Sequence, residues 1–196
     1  MQDKSYQIKI SLKGSKPKIW RRIILSADTF LEDFHKIIQT TMGWTNSHLH
    51  QFIKNKTYYT VPLDDDFYGF NEAVDYIKEK IRVDDLLFSE KDKIVYEYDF
   101  GDGWEHEILL EKIILVDLKM KVPVCVAGKM ECPPEDCGGI WGYYNLLEVV
   151  QNPKHPDYKD TREWFEGDLD PEYFDKDEIN ELLKEEGFGS LDFLTF

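Results

Sequence analysis

Cysteine, arginine and long apolar runs are all scarce in this chain of 196 residues. Its three cysteines, Cys125, Cys132 and Cys137, are an odd number, and their spacings match neither the C-x-x-C redox motif nor the common zinc modules. The thiols therefore read as structural or surface groups. No apolar run approaches the roughly 20 residues that a membrane-spanning helix needs, and the longest candidates are short β-rich runs such as Ile113 to Val116. The opening MQDKSYQIKI lacks the basic-then-apolar pattern of a signal peptide, so the chain is expected to be cytoplasmic and not inserted in a membrane.

What the chain has in quantity is aromatic mass and acid. Twelve Phe, eleven Tyr and five Trp, with 42% hydrophobic residues overall, suffice for a core of ordinary density and exclude disorder and low-complexity classes. The length fits one domain on a prior of roughly 100–200 residues each. The net charge of -15 is unevenly placed: residues 1–60 carry ten basic and four acidic side chains, whereas residues 130–196 carry five and eighteen. Only the first third attracts a polyanion, so nucleic acid is a disfavoured partner and a small molecule or a protein is favoured. The basic end is equally suited to complement the acidic end within the chain.

Hydrophobic periodicity sets out the elements. Ile8, Ile10 and Leu12 alternate with polar residues, Gly14-Ser15-Lys16-Pro17 breaks the run, and Ile19 to Leu25 reads as a second strand. Thr29 and Glu32 are spaced as a capping box before a helix from Phe30 to Met42, whose stripe of Phe30, Phe34, Ile37, Ile38 and Thr41 ends at Gly43. His48 to Ile53 alternates again, with His48, His50 and Phe52 on one face, and an Asn55-Lys56 turn leads to a strand at Tyr58 to Val61. Asp64-Asp65-Asp66 reads as a solvated loop, Glu72 to Lys80 as weakly helical and Val83 to Phe88 as one short helical turn.

Ile94 to Phe100 and Trp104 to Leu110 flank Gly101-Asp102-Gly103. Setting Phe100 opposite Trp104 gathers Ile94, Tyr96, Tyr98, Trp104, His106, Ile108 and Leu110 on one face and the acids on the other, with Gly103 at positive φ and Asp102 at an exposed tip. A further strand pair is expected near Ile113 to Val116 and Val122 to Ala127. Gly128 to Gly139 reads as a shaped loop, because its prolines and glycines oppose regular structure. Tyr143, Leu146, Leu147 and Val150 recur at helical spacing until Asn152-Pro153, a second helix carries Trp164 and Phe165, and Asp175 caps a last helix with Ile179, Leu182 and Leu183 that closes at Gly187. Strands first and acidic helices last predict a single α+β domain: a curved, mostly antiparallel sheet over residues 1–127 with one packed N-terminal helix, then a loop and helical acidic part over 128–196.

Four blocks resemble the plasmid pRiA4b ORF-3-like family: Ile19-Trp20-Arg21-Arg22-Ile23; Met42-Gly43-Trp44 through His48-Leu49-His50-Gln51-Phe52; Tyr98-Asp99-Phe100-Gly101-Asp102-Gly103-Trp104-Glu105-His106; and Pro133-Pro134-Glu135-Asp136-Cys137-Gly138-Gly139 with Gly142-Tyr143. The resemblance implies no defined activity, and some members carry labels such as resolvase-related or insertion-element passenger protein, which would associate the chain with mobile elements. The four arginines, Arg21, Arg22, Arg82 and Arg162, give no recombinase arginine cluster.

Several residues are chemically suggestive. His48, His50 and His106 read either as ligands of one divalent metal such as zinc, completed by Glu135, Asp136 or a cysteine, or as hydrogen-bonded packing residues beside Phe52, Tyr98 and Trp104. Cys137 as a nucleophile needs a nearby histidine, and the neighbouring carboxylate works against its thiolate. The Pro134 to Gly139 loop reads as a ligand loop or as a rigid connector, and Asp168 and Asp170 lack the order of a calcium loop. Alternation places Arg21 and Arg22 on opposite strand faces, one predicted to bridge to an acid on the C-terminal helices and the other available for an anion. The leading expectation is a noncatalytic ligand-binding or interaction protein whose site draws on His48, His50, Tyr98, Asp99, Asp102, Trp104, His106, Glu135, Asp136 and Cys137. A metal-dependent hydrolase using the same groups is the alternative, and a DNA-associated accessory factor a third.

Overall fold

The computed structural model describes residues 4–61, 73–115, 121–164 and 169–191. The acidic run Asp64-Asp65-Asp66, Phe165 and Asp168 lie outside these residues. In the first hairpin, β1 (Lys4–Leu12) pairs antiparallel with β2 (Trp20–Ser26), and the alternation buries Tyr6, Ile8, Ile10 and Leu12. The helix α1 (Leu31–Met42) crosses this face and buries Phe34, Ile37, Ile38 and Thr41, while Gly43 ends it at φ 89 as a left-handed cap. The expected capping box does not form. Phe30 occupies the cap position, Thr29 Oγ1 donates instead to Ser26 O, and the bridge from Phe30 to Arg82 sets where the helix starts.

The sheet continues through β3 (His50–Lys54), β4 (Thr57–Thr60), β5 (Val74–Asp75), the single helical turn α2 (Val83–Leu86), β6 (Lys93–Tyr98), β7 (Trp104–Leu115) and β8 (Val124–Lys129). Its strand order is β5-β4-β3-β6-β7-β1-β2-β8, antiparallel throughout the described residues except for β4 with β5. Asn55 and Lys56 both take positive φ, as a tight two-residue hairpin turn requires. The region of Val74 and Ile77 is a two-residue strand and a turn rather than a helix, with Ile77 exposed. The β6–β7 register differs from expectation by two residues: Tyr98 opposes Trp104 and Tyr96 opposes His106. A shift of two preserves the faces, so the aromatic set stays buried, and Phe100 moves into a longer loop where it is 37% exposed. The expected pairing of Ile113–Val116 with Val122–Ala127 is absent among the described residues: Ile113 to Leu115 finish β7, which pairs with β1, and β8 pairs with β2.

Gly128 and Lys129 belong to β8, and Gly139 opens α3 (Gly139–Gln151), so the shaped loop is shorter than expected at both ends. Beyond α3 lie α4 (Tyr158–Trp164), α5 (Lys176–Leu182) and a 3-10 turn (Glu186–Gly189). Asp175 caps α5 by accepting from the backbone N–H groups of Asp177 and Glu178. On α5, Asn180 accepts from Cys125 N at 2.7 Å and donates to Cys125 O at 2.9 Å, covering the outer edge of β8 against further strand pairing. The arrangement is an α+β fold in one domain.

Candidate functional site

Three segments distant in sequence meet at one end of the sheet: residues 44–49 after α1, the loop between β6 and β7, and the loop from Met130 to Gly138. Trp44 stacks on Tyr98 with ring centroids 5.0 Å apart and donates its Nε1–H to Pro133 O at 2.9 Å. Glu135 accepts from Thr45 N at 3.1 Å, from Thr45 Oγ1 at 2.6 Å and from the Tyr98 hydroxyl, which itself accepts from Ser47 N at 2.9 Å. Burial and this carboxylate together hold the Tyr98 phenol far above its ordinary titration range. Asp102, expected at an exposed tip, instead accepts from Gly138 N at 3.1 Å, and its carbonyl lies against Gly139, where an added Cβ would sit 2.4 Å from Asp102 O. Gly142 is tighter still, because its Cβ would lie 1.8 Å from Cys137 O. These two glycines let α3 begin directly against the loop.

Beside this junction, the described residues place His48, Asp99 and Asp136 with one ligand atom each mutually within 4.8 Å. His48 precedes β3 rather than lying in it. Its Nδ1 is 3.8 Å from Asp99 Oδ2, its Nε2 is 3.4 Å from Asp136 Oδ1, and that Nε2 is buried without a hydrogen bond among the described residues. Asp99 is buried and takes positive φ of 54, as does exposed Asp136 at 58. Asp99 is held in place by its N–H on Leu49 O at 2.8 Å and by Gly101 N on its Oδ1 at 2.9 Å, which leaves Oδ2 turned to His48.

The other two histidines of the expected metal set lie elsewhere. His50 turns under α1, its ring 3.4 Å from that of His35, and its Nε2 is hydrogen-bonded to the Tyr76 hydroxyl at 2.7 Å. His106 is fully buried edge-on to Trp44, neither ring nitrogen has a well-formed hydrogen bond among the described residues, and burial lowers its pKa to about 4 against the opposing effect of the Tyr96 and Trp104 backbone. Trp104 is also buried, its Nε1 without a hydrogen-bond partner among the described residues. The Cys137 thiol, half-buried, is pushed up to about 12 by burial and then by Asp102 and Asp136, so no thiolate forms near neutral pH.

The arginines divide as alternation predicts but bind differently. Arg22 forms a two-pronged pair with Glu111 on β7, Nε to Oε2 at 2.6 Å and Nη2 to Oε1 at 2.8 Å. Arg21 is buried against backbone carbonyls and the Phe174 ring. Among the described residues neither guanidinium bridges to an acid of the C-terminal helices. The acids of β7 lie directly across β1 and reach the basic hairpin first, as Lys13 with Glu105 also shows.

Trp44, Thr45 and Ser47 escaped the sequence-based site, since a loop has no periodicity, although Trp44 stands in the family-like block. His35 was missed because it is one position off the apolar stripe of α1. It is hydrogen-bonded to the Tyr96 hydroxyl at 2.8 Å and to Asn46 Oδ1 at 2.7 Å.

Among known proteins the chain is similar to the uncharacterized protein y4hQ of Sinorhizobium fredii, 33% identical over 162 residues, covering 81% of this chain and 79% of that protein. Its fold is similar to the crystal structure of MM3350, a protein of unknown function from Methanosarcina mazei Go1, with a TM-score of 0.79 and 37% identity, covering 91% of this chain and 98% of that one. The model of the plasmid pRiA4b ORF-3-like proteins matches residues 4–178, and with the four motif blocks now placed in one fold, the chain belongs to that family.

Proposed function

We propose that the chain is a noncatalytic binding protein of the cytoplasm that takes a divalent cation such as zinc at His48, Asp99 and Asp136. The observation that carries this reading is the approach of one imidazole and two carboxylates to within 4.8 Å of one another, on backbone held by the Trp44–Glu135–Tyr98 junction. An imidazole with two carboxylates is a ligand set suited to zinc and to manganese. The noncatalytic part rests on the surrounding groups. Cys137 and Cys132 are held as thiols by burial, His106 is kept neutral, and Glu135 is engaged by Thr45 and Tyr98, so among the described residues none of these groups is set up as an activated nucleophile or base.

The test is calorimetric titration of metal-free protein with zinc and with manganese. One equivalent of tight binding is expected, lost in His48→Ala and in Asp99→Asn while the far-ultraviolet spectrum is kept. Wild-type protein that binds neither ion, or variants that bind as well as wild type, would overturn it.

A metal-dependent hydrolase is the second reading, favoured by the strong exposure of Asp136, since three protein ligands leave open positions for a metal-bound water. It predicts metal-dependent turnover of simple phosphodiesters or esters, abolished by His48→Ala. The DNA-associated reading is weakened by the engagement of the basic hairpin: Arg22 with Glu111, Lys13 with Glu105, and Lys9 over the Trp20 ring.

A further inference from the structure

Alternation along β2 sends Arg21 to the same buried face as Ile23 and Leu25, and the residue is only 3% exposed. A guanidinium cannot discard its charge there, so its partners can be counted. Nε donates to Thr41 O at 2.7 Å, and Nη1 donates to Trp20 O at 3.0 Å, Lys129 O at 3.2 Å and Met130 O at 2.9 Å. The Phe174 ring lies 4.9 Å from the guanidinium carbon. No carboxylate among the described residues is within ion-pair distance, and Nη2 carries no hydrogen bond there.

Arg21 lines a cavity of about 200 Å³ between the end of α1 and the segment Tyr173–Leu182, walled also by Glu131, Phe174, Glu178 and Leu182. Glu131 stands in the same wall with the opposite charge. Its Oε2 is buried with no hydrogen-bond partner among the described residues, and burial and the Asp170 charge hold its carboxyl above the ordinary range, opposed in part by the Asp170 backbone and Arg21. Two groups of opposite sign thus line one cavity with no direct ion pair between them among the described residues: carbonyls take up Nε and Nη1 of Arg21 and leave Nη2 without one.

A plain anion fits Arg21 but is repelled by Glu131 and Glu178, while a plain cation leaves Arg21 uncompensated. A molecule with both charges satisfies both walls. The volume falls below the roughly 300–1,000 Å³ of sites for drug-sized ligands, which restricts the occupant to a small molecule, and Met42, Ile179 and Leu182 line the remainder with apolar surface. We infer that this cavity is a binding site for a free α-amino acid with an apolar side chain, its carboxylate on Arg21 Nη2, its ammonium at Glu131 and its side chain against Met42, Ile179 and Leu182.

The test uses the full chain freed of metal, titrated with the apolar amino acids and, as controls, with matched molecules lacking either the amine or the carboxylate. At least one amino acid is expected to bind and to raise the melting temperature, with each control weaker by about tenfold or more, as loss of one charged contact predicts. Because Arg21 also secures the fold, the decisive variants are Glu131→Gln, which removes the anionic wall, and Leu182→Trp, which fills the cavity from a partly exposed position. Both are expected to fold and to lose binding. His48→Ala is expected to bind the amino acid as wild type does, separating this site from the metal site. Failure of every amino acid to bind, equal binding of the deaminated control, or unchanged binding in folded Glu131→Gln and Leu182→Trp would each overturn the assignment.

Discussion

The imidazoles of His35 and His50 lie face to face, ring centroids 3.4 Å apart and 4° from parallel, beneath α1. Stacking this close is compatible with two neutral rings and not with two cations. Burial lowers His35 to about 4 and His50 well below its ordinary range, each proton being opposed by the neighbouring ring or by Lys36. His106 is likewise at about 4. A histidine with a lowered folded-state pKa contributes stability that is complete above its unfolded value of about 6.5 and is lost as pH falls from there toward the folded value. Urea unfolding is therefore expected to weaken progressively between about pH 6.5 and pH 4, by on the order of 3 kcal/mol for each of His35 and His106. A midpoint that does not move over this range would contradict the burial of neutral imidazoles.

His106→Phe separates one contribution from the rest. Among the described residues both nitrogens of His106 are buried without a well-formed hydrogen bond, so a ring of similar shape removes two poorly satisfied polar atoms. The variant is expected to unfold at the same or higher urea concentration at pH 7.5, and to lose less stability than wild type on acidification. Marked destabilisation at pH 7.5 would show that the nitrogens are satisfied, for instance by buried water.

Gly142→Ala probes the close approach of α3 to the loop. The new Cβ would meet the Cys137 carbonyl, which is backbone and has no rotamer to yield, so a loss of at least about 2 kcal/mol is expected in thermal or urea unfolding. Gly43→Ala, where an added Cβ meets nothing within 4 Å, is expected to cost only the left-handed conformation, about 1 kcal/mol.

Tyr98→Phe removes the hydroxyl that joins Ser47 to Glu135. Stability is expected to fall by roughly 1–3 kcal/mol, and zinc affinity by about tenfold or more, because Asp136 follows Glu135 and loses its anchorage. Calorimetry with zinc reads the second effect separately from the first. Unchanged affinity would detach the junction from the metal site.

The Arg22–Glu111 pair is partly exposed, with side chains 29% and 17% accessible. A double-mutant cycle of Arg22→Ala and Glu111→Ala is expected to give a coupling of about 1 kcal/mol, at the upper end for surface pairs because the contact is two-pronged. It should shrink in high salt.

The family motifs illustrate what a single chain displays and conceals. The Gly101-Asp102-Gly103 segment announced a turn, and Gly103 takes φ 66 as that turn requires. Yet the loop length was not legible, because hairpins of three or five residues put the same side chains on the same faces. The Pro133–Gly139 loop could be recognised as shaped, but nothing local specified that Glu135 would reach Thr45 and Tyr98. His48 illustrates the reverse error: alternation grouped it with His50, whereas β3 begins only at His50, leaving His48 free to turn toward Asp99 and Asp136.

The amino-acid sequence by itself determined which side of β1, β6, β7 and the middle of α1 is buried, since periods of two and 3.6 residues are properties of the local backbone, whereas Phe30, Trp164 and Leu182, set on helices by the same reading, are exposed. It also determined where the chain turns, through Gly43, Asn55-Lys56 and Asn152-Pro153. Tertiary structure alone decided the partners: Arg21 with carbonyls rather than acids, Arg22 with β7 rather than the C-terminal helices, and His48 with two aspartates rather than two histidines. Those choices depend on which segments lie adjacent once the sheet order is set, and groups some 50 to 110 residues apart, such as Tyr98 with Ser47 or Arg21 with Met130, leave no local pattern from which their contact can be read.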